Sequence, residues 1–165
     1  MGLNEDLDRI AQQERELQLP RLDAQIAWEL GSRLRAMAVE RGLAVVIDVR
    51  RFGQPLFYTA LEGTKPDHPD WVRRKSNVVA RFLSSSYIAG LKDKLRNETL
   101  AESQGLPVAD YATHGGSFPL AVTGAGVVGS VTVSGLPQRA DHELVVEALC
   151  TILGRNYADL KLPPE

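Results

Sequence analysis

The 165-residue chain has the length of one ordinary domain, able to withdraw roughly 70% of its unfolded surface from water. Its 44% hydrophobic and 24% charged residues exclude a disordered or fibrous class, and a formal charge of -2 argues against a nucleic-acid surface, which concentrates basic excess. The single cysteine, Cys150, leaves no intrachain disulfide framework and fits a reducing cytoplasm. The charged amino terminus, MGLNEDLDRIAQQERELQL, is unlike a secretory signal, and no apolar run approaches a membrane span. A soluble cytoplasmic domain over residues 1–165 is expected.

In chain order, Leu7, Ile10, Ala11, Leu17 and Leu19 predict a thinly amphipathic helix from about Asn4 to Leu19, stopped by Pro20. Asp23 is placed to cap a second helix that carries Ile26, Ala27, Leu30, Leu34, Met37 and Ala38 to Gly42. Leu43–Val49 and Pro55–Leu61 read as an antiparallel hairpin. After a polar loop, Asp70 is a second expected cap, for one long helix from about Trp71 to Lys94. On that helix Arg73, Arg74, Lys75 and Arg81 form a charged, solvated face. Pro119–Thr123 and Val127–Ser134 predict a second hairpin, turning at Gly124-Ala125-Gly126. Asp141 is expected to cap the last helix, with His142 in its exposed first turn. The order is α-α-β-β-α-β-β-α, an α/β (α+β) fold, without the strand-helix-strand crossovers of a doubly wound sheet.

Gly124–Gly129 spells G-x-G-x-x-G, the dinucleotide fingerprint, but that motif must open a helix whose amino terminus holds the pyrophosphate. Here Ser-Val-Thr-Val-Ser follows, which is strand chemistry. His114-Gly115-Gly116-Ser117 has the composition of a lipase oxyanion loop, yet the chain lacks the G-x-S-x-G nucleophile elbow. His114, Asp141 and His142 are candidates for a metal or haem iron if they meet in space. Cys150 lies on an apolar helix face and reads as core filler, and His68, in a polar loop, carries no signal.

Three blocks carry a resemblance: Trp71-Val72-Arg73-Arg74-Lys75-Ser76-Asn77-Val78 with Ser85-Ser86, His114-Gly115-Gly116-Ser117-Phe118-Pro119, and Val131–Pro137 leading to Asp141-His142. In these the chain resembles the GlcG/HbpS-like, or haem-degrading domain, family, and in particular its compact single-domain branch. The resemblance implies a profilin-like domain, an antiparallel sheet flanked by helices, assembled as a homo-oligomer, with haem as a candidate cofactor. The expected function is a small-molecule-binding domain for haem or another anionic ligand. Its expected contacts are Arg74, Lys75, Asn77, His114, Gly115, Gly116 and Ser117, since guanidinium and ammonium groups grip carboxylates. The alternative is an oligomeric scaffold without catalysis, in which the same blocks are subunit contacts. No complete catalytic constellation decides for or against an enzyme.

Overall fold

A computed structural model describes residues 2–165. Helix α1 spans Gly2–Glu16, strand β1 Gln18–Leu19, α2 Ala24–Glu40, β2 Val46–Arg51 and β3 Gln54–Ala60. Helices α3 (His68–Phe82), α4 (Ser86–Arg96) and α5 (Leu100–Gln104) follow, then β4 (Ser117–Val122), β5 (Gly126–Ser134), α6 (Gln138–Leu153) and α7 (Tyr157–Leu160). The strands form one sheet in the order β1-β4-β5-β2-β3. Both hairpins are antiparallel, and β1 joins β4 in parallel. None of the described helices is long and apolar enough to cross a membrane.

The two faces of the sheet differ because side chains alternate along a strand. Ile47, Val49, Phe118, Leu120, Val131 and Val133 point to one face, where α2 and α6 cover them and build the main core with Leu30, Leu34, Val145 and Leu149. Helix α3 covers the opposite face. There the alternate positions are polar and still buried: Asp48, Ser117, Ser130, Thr132 and Ser134. Register sets Thr132 opposite both Asp48 and Ser117, and the Ser117 and Thr132 hydroxyls bond at 2.8 Å. A buried polar layer is thus enclosed between α3 and the sheet.

Local signals hold where chemistry is local. Asp23 caps α2 by accepting from the Ile26 amide at 2.8 Å. The fingerprint glycines are structural: Gly124 and Gly126 take φ of 83° and 89° in the hairpin turn. A Cβ on Gly129 would lie 2.1 Å from the Arg50 carbonyl oxygen of the neighbouring strand.

Five expectations are corrected. The first helix ends at Glu16, and Leu19 belongs to β1, paired with Val122. The long helix breaks after Phe82: Leu83 turns left-handed (φ 58°), and Ser85 caps α4 by accepting from Ile88 N. Helix α3 begins at His68, so Asp70 lies in its first turn and pairs with Arg73 rather than capping. Asp141 is no cap either, because α6 starts at Gln138 behind Pro137. Finally, His142 is fully buried instead of exposed.

His142 sits against the rings of Tyr87 and Phe118, and its Nε2 meets Gln13 Oε1 at 2.8 Å. Gln13 in turn donates to Leu160 O at 2.7 Å, and Glu143 accepts from the Leu162 amide and from Tyr157. This buried network fixes α1 and the carboxy-terminal segment to α6.

Candidate functional site

Helix α3 delivers Lys75 into the polar layer. Val72, Lys75, Ser76 and Val79 share its sheet-facing side, as i, i+3, i+4, i+7 spacing requires. Only 3% of Lys75 is exposed. Its Nζ donates to Asp141 Oδ2 at 3.1 Å, Val133 O at 3.3 Å and Ser134 Oγ at 3.4 Å. Asp141 reaches back from the first turn of α6, and its carboxylate also accepts from the Leu136 amide at 2.9 Å and the Gly135 amide at 3.4 Å. It therefore holds the β5–α6 junction to α3. Burial raises the Asp141 carboxyl to about 6 against the opposing pull of Lys75 and the two amides. The same burial lowers the Lys75 ammonium, with Asp141 opposing.

This ion pair forms one wall of an open cavity of about 200 Å³, also bordered by His68, Trp71, His114 and Gln138. The His114 and Trp71 rings meet edge to face with centroids 5.0 Å apart, and the Arg74 guanidinium stacks on Trp71 at 4.6 Å. Burial first, then the charges of Lys75 and Arg74, lower the His114 imidazole below its ordinary value. Both effects favour its neutral form. His68, which carried no signal in the sequence, accepts from the Lys65 amide on Nδ1 at 2.9 Å. In the neutral ring that leaves the proton on Nε2.

The glycines beside His114 answer to crowding. A Cβ on Gly115 would lie 2.4 Å from the Gln138 carbonyl oxygen. On Gly116, at φ 138°, it would lie 2.3 Å from Val133 O and 2.8 Å from Lys75 Nζ. Their absence of side chains lets the turn close over the amine.

Of the expected contacts, the fold brings Lys75, His114, Gly115 and Gly116 together. It assigns Arg74 and Asn77 elsewhere: Arg74 donates to Val108 O at 2.9 Å and Asn77 to Asp110 O at 2.8 Å. With Arg73 on Ala109 O, they tether the segment leading to His114. Ser117 is inside the sheet, its amide donating to Ser86 Oγ and its hydroxyl bonded to Thr132. His114 and Asp141 border one cavity, whereas His142 lies in the core network. Among the described residues no group of three or more His, Cys, Asp or Glu side chains is arranged to hold a metal ion.

Residues 22–150 match the family described as haem degrading protein HbpS-like. A UPF0303 protein of Burkholderia thailandensis is 62% identical over 162 residues, 98% of each chain. Among solved structures, the Ybr137w protein superposes with a TM-score of 0.83 at 28% identity, over 90% of this chain and 88% of that one. The PduOC chain of a heme complex superposes at 0.67 with 13% identity, over 78% and 93%. The second likeness speaks for the fold alone. The chain belongs to the HbpS-like haem-degrading family and, within it, to the UPF0303 proteins.

Proposed function

We propose that this protein binds a small organic anion in the cavity between Lys75, Asp141 and His114. One observation carries the reading: a buried ammonium group lies at the wall of a polar cavity that the His114 imidazole also borders. The volume of about 200 Å³ equals the share of about six or seven waters in the liquid, which suits a ligand of comparably few heavy atoms. Asp141 makes the affinity pH-dependent. Ionised, its carboxylate competes for Lys75 and repels an anion; protonated, as it becomes below about pH 6, it leaves the ammonium to the ligand.

The test is thermal denaturation of the protein with increasing lactate. Saturable stabilisation is expected, about 2.7 kcal/mol at a hundred times Kd, tighter at pH 5 than at pH 7.5 by about fivefold or more. His114→Ala should weaken it, and Asp141→Asn should reduce the pH dependence. Absence of any saturable shift at either pH would overturn the reading.

Haem is the second reading, favoured by the family and by a groove of about 600 Å³ that His114 also borders, within the roughly 300–1,000 Å³ of ligand pockets. The smaller cavity does not fit a haem. The groove has the volume, but Glu5, Asp6 and Glu165 line it beside Lys94 and Arg139. Arg139 is held by both Asp6 oxygens, so the wall is poorly suited to propionates. A saturable Soret change on haem titration, lost in His114→Ala, would favour haem over the small anion; a flat titration would remove it.

A further inference from the structure

We infer that Lys75 is a nucleophilic amine that forms an imine with a short 2-oxo acid held in the same cavity, with Asp141 as the proton carrier. The inference rests on the anion-binding reading and adds a reaction to it. The geometry supplies three requirements of such chemistry. Lys75 is withdrawn from water yet borders a cavity, and its Nζ bonds to Asp141 and Ser134, which border the same cavity. A carboxyl oxygen lies 3.1 Å from it. The turn over it is glycine, and any side chain at Gly116 would come within 2.8 Å of Nζ.

Electrostatics acts in the same direction. Desolvation lowers the lysine and raises the carboxyl. Both shifts favour moving one proton from Nζ to Asp141, which turns the ion pair into a neutral amine beside a carboxylic acid. The amine lone pair then attacks the carbonyl carbon, and the carbonyl oxygen takes the proton from Asp141, giving a carbinolamine. Asp141 recovers the second amine proton and returns it to the departing hydroxyl. Water leaves and the C=N bond forms. No oxidant or reductant is needed: amine plus ketone gives imine plus water.

The experiment treats the full-length protein with pyruvate and cyanoborohydride near pH 7.5 and locates N-(1-carboxyethyl)lysine by peptide mass spectrometry. Lys75 is expected to carry more of the mark than the exposed Lys92 and Lys94, because its burial disfavours the charged, unreactive form of the amine, and lactate should protect it. Asp141→Asn should slow marking at Lys75 and leave Lys92 and Lys94 unchanged. The wild-type map decides the matter even if that variant fails to fold. Marks on exposed lysines with none on Lys75 overturn the imine. If lactate still stabilises the protein, anion binding survives that result; if it does not, both readings fall together.

Discussion

Lys75→Met is expected to cost about 3–5 kcal/mol of folding stability at pH 7, the usual penalty for stranding one partner of a buried ion pair. The pair is almost wholly enclosed, with 4% and 1% of the Lys75 and Asp141 side chains exposed. Methionine fills the lysine stem's space but leaves the Asp141 carboxylate with only the Gly135 and Leu136 amides. Lys75→Met combined with Asp141→Asn should recover much of the loss, because the amide oxygen still serves those two donors and no charge remains buried. Urea denaturation of the four proteins in this cycle measures the coupling. A single-variant cost below about 1 kcal/mol would show that the pair is not enclosed in solution. Lowering the pH should soften the single variant's defect, since its unpaired carboxyl can then accept a proton.

The second large effect is acid lability through His142. Complete burial holds its imidazole down to about 3 from an ordinary 6.5. The unfolded chain therefore binds a proton that the folded one refuses throughout that interval. Stability from this group is fully present above about pH 6.5 and is lost as the pH falls towards 3. Taken over the whole shift, it amounts to roughly 4–5 kcal/mol as a ceiling. Glu143 and Asp141, whose folded values are raised, act with the opposite sign, so the variant comparison isolates the histidine. His142→Gln retains a donor for Gln13 and cannot titrate, and its unfolding free energy should fall less between pH 6.5 and 4 than that of the wild type. Parallel pH profiles for the two proteins would refute the assignment.

How much of this was legible depended on the range of each interaction. The Asp23 cap, both hairpins and the glycine turn are encoded by neighbours within a few residues, and the sequence sufficed. Strand β1 has two residues and exists only through its pairing with Ala121 and Val122, which no local pattern announces. The break at Leu83 had a signal in Ser84-Ser85-Ser86, since serine favours caps over helix interiors, but the apolar periodicity outweighed it. Lys75 was concealed by its neighbours: in the run Arg73-Arg74-Lys75 it looks like surface. Its place at i+3 from Val72 and one residue before the buried Ser76 was the available clue. The true role of Arg74 and Asn77, gripping the carbonyls of Val108 and Asp110, depends on a loop more than thirty residues away and could not be read at all.

That grip has a kinetic consequence. Arg73, Arg74 and Asn77 bind the segment before His114 to the helix that carries Lys75, and the Ala112 amide donates to the Arg74 carbonyl oxygen. The imidazole and the amine thus ride on one body, and a ligand that meets both needs no hinge motion between them. Exchange at this site should follow a single exponential whose rate rises linearly with ligand concentration, without the plateau that a gating step imposes.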